Sequence, residues 1–277
     1  MPGSRVEIVE VAKTFKVSTR NPDGHLIALD SVTLDVPASS FTAIVGPSGC
    51  GKSTLLRVIA GLIRPDRGSV LIDGQTVFRP SEKVGVVFQH IGLFPWRTVL
   101  DNVAFGLEIR GVNERERYAI AKRYIKMVGL EGFENYYPHQ LSGGMQQRVG
   151  LARALALNPS VLLMDEPFGA LDAITRRLLQ EELLKLWEID RKTVIFVTHD
   201  LDEAVYLADE VVVLTKRPGR VKARIVVDID RPRDLSSPNS QSKYERLRNQ
   251  LWSLIKEEVV GTGLTQTTTS ISRGFPE

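Results

Sequence analysis

A single cysteine, Cys50, occurs in 277 residues, so an intrachain disulfide is excluded and a reducing compartment fits. Long apolar runs are missing too. Although 43% of the residues are hydrophobic, no stretch approaches the ~20 apolar residues that a membrane helix needs. The opening MPGSRVEIVEVAK has no apolar signal-peptide core. These absences predict a soluble protein of the cytoplasm that meets a membrane only through a partner. Excess charge is also absent: 36 basic and 33 acidic residues leave a formal charge of +3. Nucleic-acid binders concentrate basic charge, whereas Arg115, Arg117, Lys122, Arg123 and Lys126 are interleaved with Glu114 and Glu116 and read as a solvated helix face. No nucleic-acid partner is expected. Neither an internal repeat nor a sustained heptad pattern interrupts the chain.

The residues that are present suffice for a sizeable core, in one large domain or in two smaller lobes. VEIVEV (6–11) and VTLDV (32–36) alternate apolar and polar positions, the pattern of half-buried antiparallel strands. STRNPDGH between them is turn-rich. FTAIV (41–45) is apolar throughout, as in a strand covered on both faces. A helix opens at Lys52 with Leu55, Leu56 and Ile59 on one side. SVLIDG (69–74) and KVGVVF (83–88) read as further strands. From Gly92 to Asn158 the chain turns helical: NERERYAIAKRYIKMVGL carries Ala121, Tyr124, Ile125 and Val128 at helical spacing, with Gly129 as a C-cap. Strands return at SVLLMD (160–165), TVIFVT (193–198) and EVVVLT (210–215), with the helix RRLLQEELLKLWEI between the first two. Alternating strand and helix predicts a parallel sheet, and the helical stretch is then an insertion into it. VKARIVVDI reads as a closing edge strand, SKYERLRNQLWSLIKEEV as a terminal amphipathic helix, and TGLTQTTTSISRGFPE as a polar, frayed end.

GPSGCGKST, Gly46 to Thr54, fits the phosphate-loop pattern G-x-x-x-x-G-K-[ST], and it stands between a strand and a helix, the context that gives the pattern meaning. Gly46, Pro47, Ser48, Gly49, Cys50 and Gly51 would bend around phosphates, with the N–H groups of all but the proline inward. Lys52 would reach the β- and γ-phosphates, and Ser53, beside Thr54, would offer a hydroxyl to Mg²⁺. The competing reading is a glycine-rich turn without a ligand. Cys50 reads as a small residue that fits the loop, not as a redox group. VLLMDEP (161–167) ends an apolar strand in two carboxylates, aimed at the ligand end of a parallel sheet. Asp165 suits a Mg²⁺ shell, and Glu166 suits a general base for an attacking water. Alone, such a pair reads equally well as a solvated turn; beside the phosphate loop, the functional reading prevails.

At LSGGMQQR, Leu141 to Arg148, a serine and two glycines precede a second helix start, again the makeup of an anion-binding N-terminus. This stretch, with GPSGCGKST and VLLMDEP, resembles the ATP-binding cassette family, whose signature motif it matches, and the resemblance runs in order through most of the chain. It implies an α/β fold: a P-loop NTPase parallel-sheet core with an antiparallel β subdomain and an inserted helical subdomain. The ATPase domain would span 1–235, with the insertion over 91–158 and a C-terminal helix and flexible tail over 236–277. ATP and Mg²⁺ are the implied cofactors. Gln89, in VVFQH, would sense Mg²⁺ and the γ-phosphate, and His199, in VTHD, would contact the γ-phosphate. Phe15, in KTF, falls where the family carries an aromatic that stacks on adenine, with phenylalanine in place of the more usual tyrosine. The resemblance also answers why one chain carries two phosphate-facing helix starts. Two cassettes would pack head to tail, so that Ser142, Gly143 and Gly144 of one close over the ATP held by the phosphate loop of the other, with Asp172, in GALD, at the seam. The second cassette would be another copy of this chain or a sister.

IGLFPWRTVLDNVAFGL (91–107) groups Leu93, Phe94, Pro95 and Trp96. Core packing accounts for some of them; in transporters of this family the corresponding groove receives a short helix of the membrane subunit. That stretch, with VVVLTKRPGRV and VDIDRPRD, is similar to importers of nitrate, sulfonate, taurine or bicarbonate type. The resemblance thus implies the ATP-hydrolysing subunit of an importer, peripheral at the cytoplasmic face of the inner membrane. Its partners would be integral membrane permease subunits and a periplasmic or lipid-anchored solute-binding protein. The alternative keeps the cassette without transport, as a DNA-repair or chromosome-organising ATPase. Those proteins split the cassette with a long coiled coil, and no heptad run does so here. A non-catalytic nucleotide-gated clamp would dispense with Lys52 or Glu166, and both are present.

Overall fold

The structure, a computed structural model, describes residues 3–16, 24–233 and 237–260. Among these, ten strands form two sheets. In the smaller sheet β2 (His25–Val36), β1 (Val6–Lys16), β4 (Arg67–Ile72) and β5 (Gln75–Thr76) lie in that order, each antiparallel to its neighbour. β1 and β2 are longer than their alternating stretches. The reason is that the β1–β2 register shifts between Ile8 and Val11 and again before Lys13 and Thr14, and each bulge breaks the period-2 signal while the strand continues. The turn-rich STRNPDGH therefore begins outside the described residues and ends inside β2. SVLIDG ends its strand two residues early. Ile72 pairs with Gln75 across Asp73 and Gly74, whose φ values are 50° and 73°, the two-residue hairpin turn that Asp-Gly favours.

The larger sheet runs β10 (Val221–Val226), β9 (Glu210–Leu214), β3 (Phe41–Val45), β8 (Thr193–Val197), β7 (Val161–Asp165), β6 (Val84–Val87). All pairs are parallel except β10 against β9, so VKARIVVDI closes the edge as expected. Every residue of β3, β7 and β8 is buried, which is what an apolar strand covered on both faces requires. Alternate residues feed two cores. Ile44, Ile195 and Val197 face a core shared with the smaller sheet and α1 (Lys52–Ile59), while Phe41, Val194 and Phe196 face the other helices. There Phe41 meets Trp187 of α5 (Ala173–Asp190) edge-on, with ring centroids 5.9 Å apart.

Between β6 and β7 the chain forms α2 (Val99–Ile109), α3 (Glu114–Met127), a 3-10 turn at Pro138–Gln140, and α4 (Gly143–Ala156). Thr98 and Asn113 cap α2 and α3, each side chain accepting an amide of its first turn. Gly129 ends α3 at φ 67°, with its N–H on Lys126 O and that of Leu130 on Ile125 O, a Schellman motif that only a residue at ease in the left-handed region completes without strain. α6 (Leu201–Leu207) follows β8, and α7 (Pro238–Val260) buries Leu247 and Leu251. α7 begins four residues before the expected Ser242, since proline is tolerated in a helix's first turn. The stretch TGLTQTTTSISRGFPE lies outside the described residues. The fold thus brings the C-terminal ends of β3, β7 and β8 side by side, and ligands of open parallel sheets gather at such ends.

Candidate functional site

The loop from Gly46 to Gly51 joins β3 to α1. Gly51 caps the helix at φ 110°, and a Cβ there would stand 2.7 Å from Ala28 O and from Leu29 Cδ2. Both the backbone angle and the close approach of β2 require glycine. Lys52 is buried, and its Nζ donates to Gly46 O at 2.8 Å and Pro47 O at 3.1 Å. The ammonium is therefore held on the loop itself. Cys50 is buried, and burial pushes its thiol pKa up, opposed by the charges of Lys52 and Arg217.

β7 delivers Asp165 and Glu166 to the same end. Asp165 is buried and accepts from Ser53 Oγ at 3.0 Å. Burial raises its pKa and the neighbouring charge of Glu166 adds to this, while the Ser53 bond works against it. Glu166 has φ 48°, a conformation that costs a non-glycine residue about 1–2 kcal/mol. It is held there by its own backbone: its N–H donates to Val197 O at 2.9 Å, and its carbonyl accepts from Gly169 N and from Gln147 Nε2, each at 3.2 Å. Its side chain is the meeting point of the site. Glu166 Oε2 accepts from Gln89 Nε2 at 3.3 Å and lies 3.3 Å from His199 Nδ1.

One cleft is lined by Ser48, Gly49, Gly51, Lys52, Ser53, Thr54, Gln89 and Glu166, with Phe15, Leu26, Ala28 and Arg217 on its remaining walls. Phe15 stands near the end of β1, half-buried, with Lys13 Nζ 5.6 Å from its ring centroid. Gly46, Pro47 and Cys50 are not on the cleft wall; two of them serve Lys52 with their carbonyls and the third packs in the core. Ser142, Gly143, Gly144 and Asp172 are elsewhere. They line a second cleft with Met145, Arg148, Ala170, Leu171 and Thr175, and the two clefts share no residue. Ser142 caps α4, its hydroxyl accepting from Met145 N at 3.3 Å. Asp172 caps α5, accepting from Ile174 N and Thr175 N, and the Thr175 amide bond foremost holds its carboxyl below the usual range.

Two residues of these surroundings escape sequence reasoning. Gln147 is buried and bridges α4 to the Glu166 carbonyl and, through Oε1, to Ala170 N at 3.1 Å. Its signal is helical phase: it shares a face with Leu151 and Leu155, four and eight residues on, which are buried too. Arg217 reaches the first cleft from the turn between β9 and β10, and nothing in a basic turn distinguishes it from a solvated one.

Where the chain leaves β6 for the helical insertion, Phe88, His90, Ile91, Phe94, Phe105 and Ile109 line an apolar groove. Phe94 is engaged, its ring 4.5 Å from Phe105, whereas Trp96 and Ile109 are each 72% exposed.

Residues 29–169 match the family model described as ABC transporter. The chain is 57% identical over 256 residues to an uncharacterized ABC transporter ATP-binding protein of Methanocaldococcus jannaschii, covering 92% of this chain and 93% of that one. It is 47% identical over 232 residues to the taurine import ATP-binding protein TauB of Rhizobium johnstonii, covering 82% and 88%. A solved dimeric ATP-binding cassette, in a post-hydrolysis state bound to ADP and Pi, superimposes with a TM-score of 0.73 at 37% identity, over 80% of this chain and 98% of that one. With a phosphate loop, a strand-tip carboxylate pair and a second helix start arranged on this fold, the chain belongs to the ABC transporter family, as an ATPase built on the ATP-binding cassette.

Proposed function

We propose that the chain is the ATP-hydrolysing subunit of an importer and that it powers uptake of a small anion or organic solute through a separate permease. The observation that carries the catalytic part is the convergence of Gln89 and His199 on one carboxylate oxygen of Glu166, beside the phosphate loop. Backbone N–H groups at the start of α1 bind phosphate oxygens with help from the helix dipole. Lys52 exchanges its loop carbonyls for β- and γ-phosphate oxygens. The donor pair Ser53 Oγ and Asp165 suits Mg²⁺, which takes few protein oxygens and fills its shell with phosphate and water. Mg²⁺ bound there would supply charge neutralisation for the phosphates. Glu166 orients the attacking water and takes its proton, Gln89 keeps the carboxylate aimed, and His199 donates to the γ-phosphate. Phe15 offers a π-face to adenine.

The second cleft, which shares no residue with the first, supports a dimer in which Ser142, Gly143 and Gly144 of a second cassette, a copy or a sister, close over the nucleotide, with Asp172 at the seam. The exposed Trp96 and Ile109 beside the apolar groove suit a permease helix and support a chain that works at the cytoplasmic side of a membrane. Among the described residues no helix is long and apolar enough to cross one. The likeness to TauB favours a sulfonate such as taurine, with nitrate and bicarbonate in the same range of small anions, delivered to the permease by a solute-binding protein.

Glu166→Gln tests the catalytic reading. It keeps shape and removes the base, so ATP hydrolysis is expected to fall about 10²- to 10⁴-fold while ATP still binds. Wild-type phosphate release by that variant would remove Glu166 from the role. The transport reading is tested by affinity purification from membranes: a multi-spanning partner that is lost on Trp96→Asp is the expected result.

A further inference from the structure

The turn Thr215–Arg220, between β9 and β10, is built into the phosphate loop. Gly219 N donates to Ala28 O, and Asp30 N donates to Gly219 O, both at 3.0 Å. A Cβ on Gly219 would stand 2.2 Å from Cys50 O, so only glycine permits this approach. Thr215 stiffens the turn, its hydroxyl donating to Pro218 O at 2.9 Å and accepting from Arg220 N at 3.0 Å. Two further ties hold it from outside. Arg220 pairs with Asp30, and Glu258 of α7 accepts the Lys216 N–H at 2.9 Å.

Arg217 is the residue this rigid turn presents. Its Nε donates to Gly49 O at 3.0 Å, and its Nη2 lies 2.9 Å from where a Gly49 Cβ would be. The side chain is exposed and lines the cleft that holds Lys52, Ser53, Gln89 and Glu166. Its basic neighbours are neutralised: Arg220 by Asp30, Lys222 by Glu257 and Glu258. Among the described residues no carboxylate lies within ion-pair distance of Arg217. A guanidinium is a planar fork that matches phosphate oxygens two at a time, and it keeps its charge at any working pH.

The geometry points to Arg217 as a nucleotide-binding residue, a second cation that grips the phosphates of a nucleoside di- or triphosphate from the phosphate loop's outer side while Lys52 holds them from within. This rests on the ATP-binding reading of the same cleft. The Gly49 bond positions the guanidinium, and Gly219 sets the distance.

Equilibrium binding of a fluorescent ATP analogue, with ADP as competitor, tests it on the purified full chain. Wild type, Arg217→Ala, Arg217→Lys and Lys52→Ala are compared at about 0.05 and 0.3 M salt. Arg217→Ala is expected to weaken ATP and ADP about tenfold, the scale of one hydrogen-bonded charge contact, and to flatten the salt dependence. Arg217→Lys, which keeps the charge, is expected to recover part of the affinity and the salt dependence. Unchanged affinity in Arg217→Ala overturns the inference. So does a loss of affinity with wild-type salt dependence, because that reduces Arg217 to a brace for Gly49. If Lys52→Ala also binds like wild type, the cleft itself is misassigned; if Lys52→Ala fails and Arg217→Ala does not, only the inference about Arg217 falls.

Discussion

The two helix starts that look alike in sequence are built differently. At α1 the capping residue is Gly51, and no side chain caps the helix. Its first amides are left to a ligand, and a buried cation, Lys52, sits among them. At α4 the cap is Ser142, whose own hydroxyl accepts from the Met145 amide. The cation lining that cleft, Arg148, is turned to other work, donating to Val128 O and Gly129 O at the end of α3, each at 3.1 Å. Burial lowers its pKa, opposed by the charge of Asp172. An uncapped start with its own cation is a holder that wants an anion; a self-capped, exposed start is stable without one and can act as a lid.

The largest expected effect breaks this contrast by mixing defects. Lys52→Ala should weaken nucleotide binding by about 10²-fold, since two or more charge-assisted contacts are lost. Ser142→Arg should leave binding at the phosphate loop in place and stop hydrolysis by obstructing the lid. If holder and lid come from different chains, an equal mixture of the two inactive variants regains ATPase activity, because one intact pairing forms per mixed dimer. A mixture as inactive as its parents would show that holder and lid do not meet across chains.

A smaller effect sharpens how α4 and the end of β7 are joined within one chain. Gln147 donates to the Glu166 carbonyl and accepts from Ala170 N. Gln147→Leu keeps the volume, removes the partner of the Ala170 amide and leaves the Glu166 carbonyl with its Gly169 bond alone, at a cost of about 1–3 kcal/mol. In a chain of this size each kcal/mol corresponds to about 2–4 °C of Tm. The expected result is a lower melting temperature together with reduced turnover and nearly normal ATP affinity. A variant as stable and active as wild type would mean that the bridge is idle.

These contrasts also mark where the sequence was legible. β3, β7 and β8 are continuous apolar runs because both faces of their sheet are covered, so they stand out from polar surroundings. The phosphate loop and the strand-tip carboxylates announce themselves by residue type and order, and the structure brings Lys52, Ser53, Gln89 and Glu166 onto one wall. β1 and β2 were half hidden, because bulges cancel alternation without ending a strand. Arg217 was hidden altogether, and Gln147 showed only the helical phase that turns it inward. What each does depends on a contact more than a hundred residues away or on which face of a helix turns inward, and one-dimensional spacing carries neither distance nor partner.

The smallest effect concerns the wall that carries Phe15. Asp66 ties down the end of β1: its carboxylate accepts from Lys13 Nζ at 2.7 Å and from Thr14 N at 2.6 Å, beside the aromatic. The Lys13 bond first, and the Thr14 amide second, hold its pKa below the usual carboxylate range. A carboxyl whose folded pKa lies under its unfolded value of about 3.9 stabilises the fold above that value and loses the contribution as pH drops through the lower, folded one. Its side chain is 45% exposed, so solvent screening limits the pair to about 1 kcal/mol or less. Asp66→Asn should therefore melt slightly below wild type at pH 7, and the gap should narrow as both proteins are taken to pH values below the usual carboxylate range. If the gap persists there, shape and not charge is what Asp66 contributes, and the cleft's aromatic wall is anchored by packing alone.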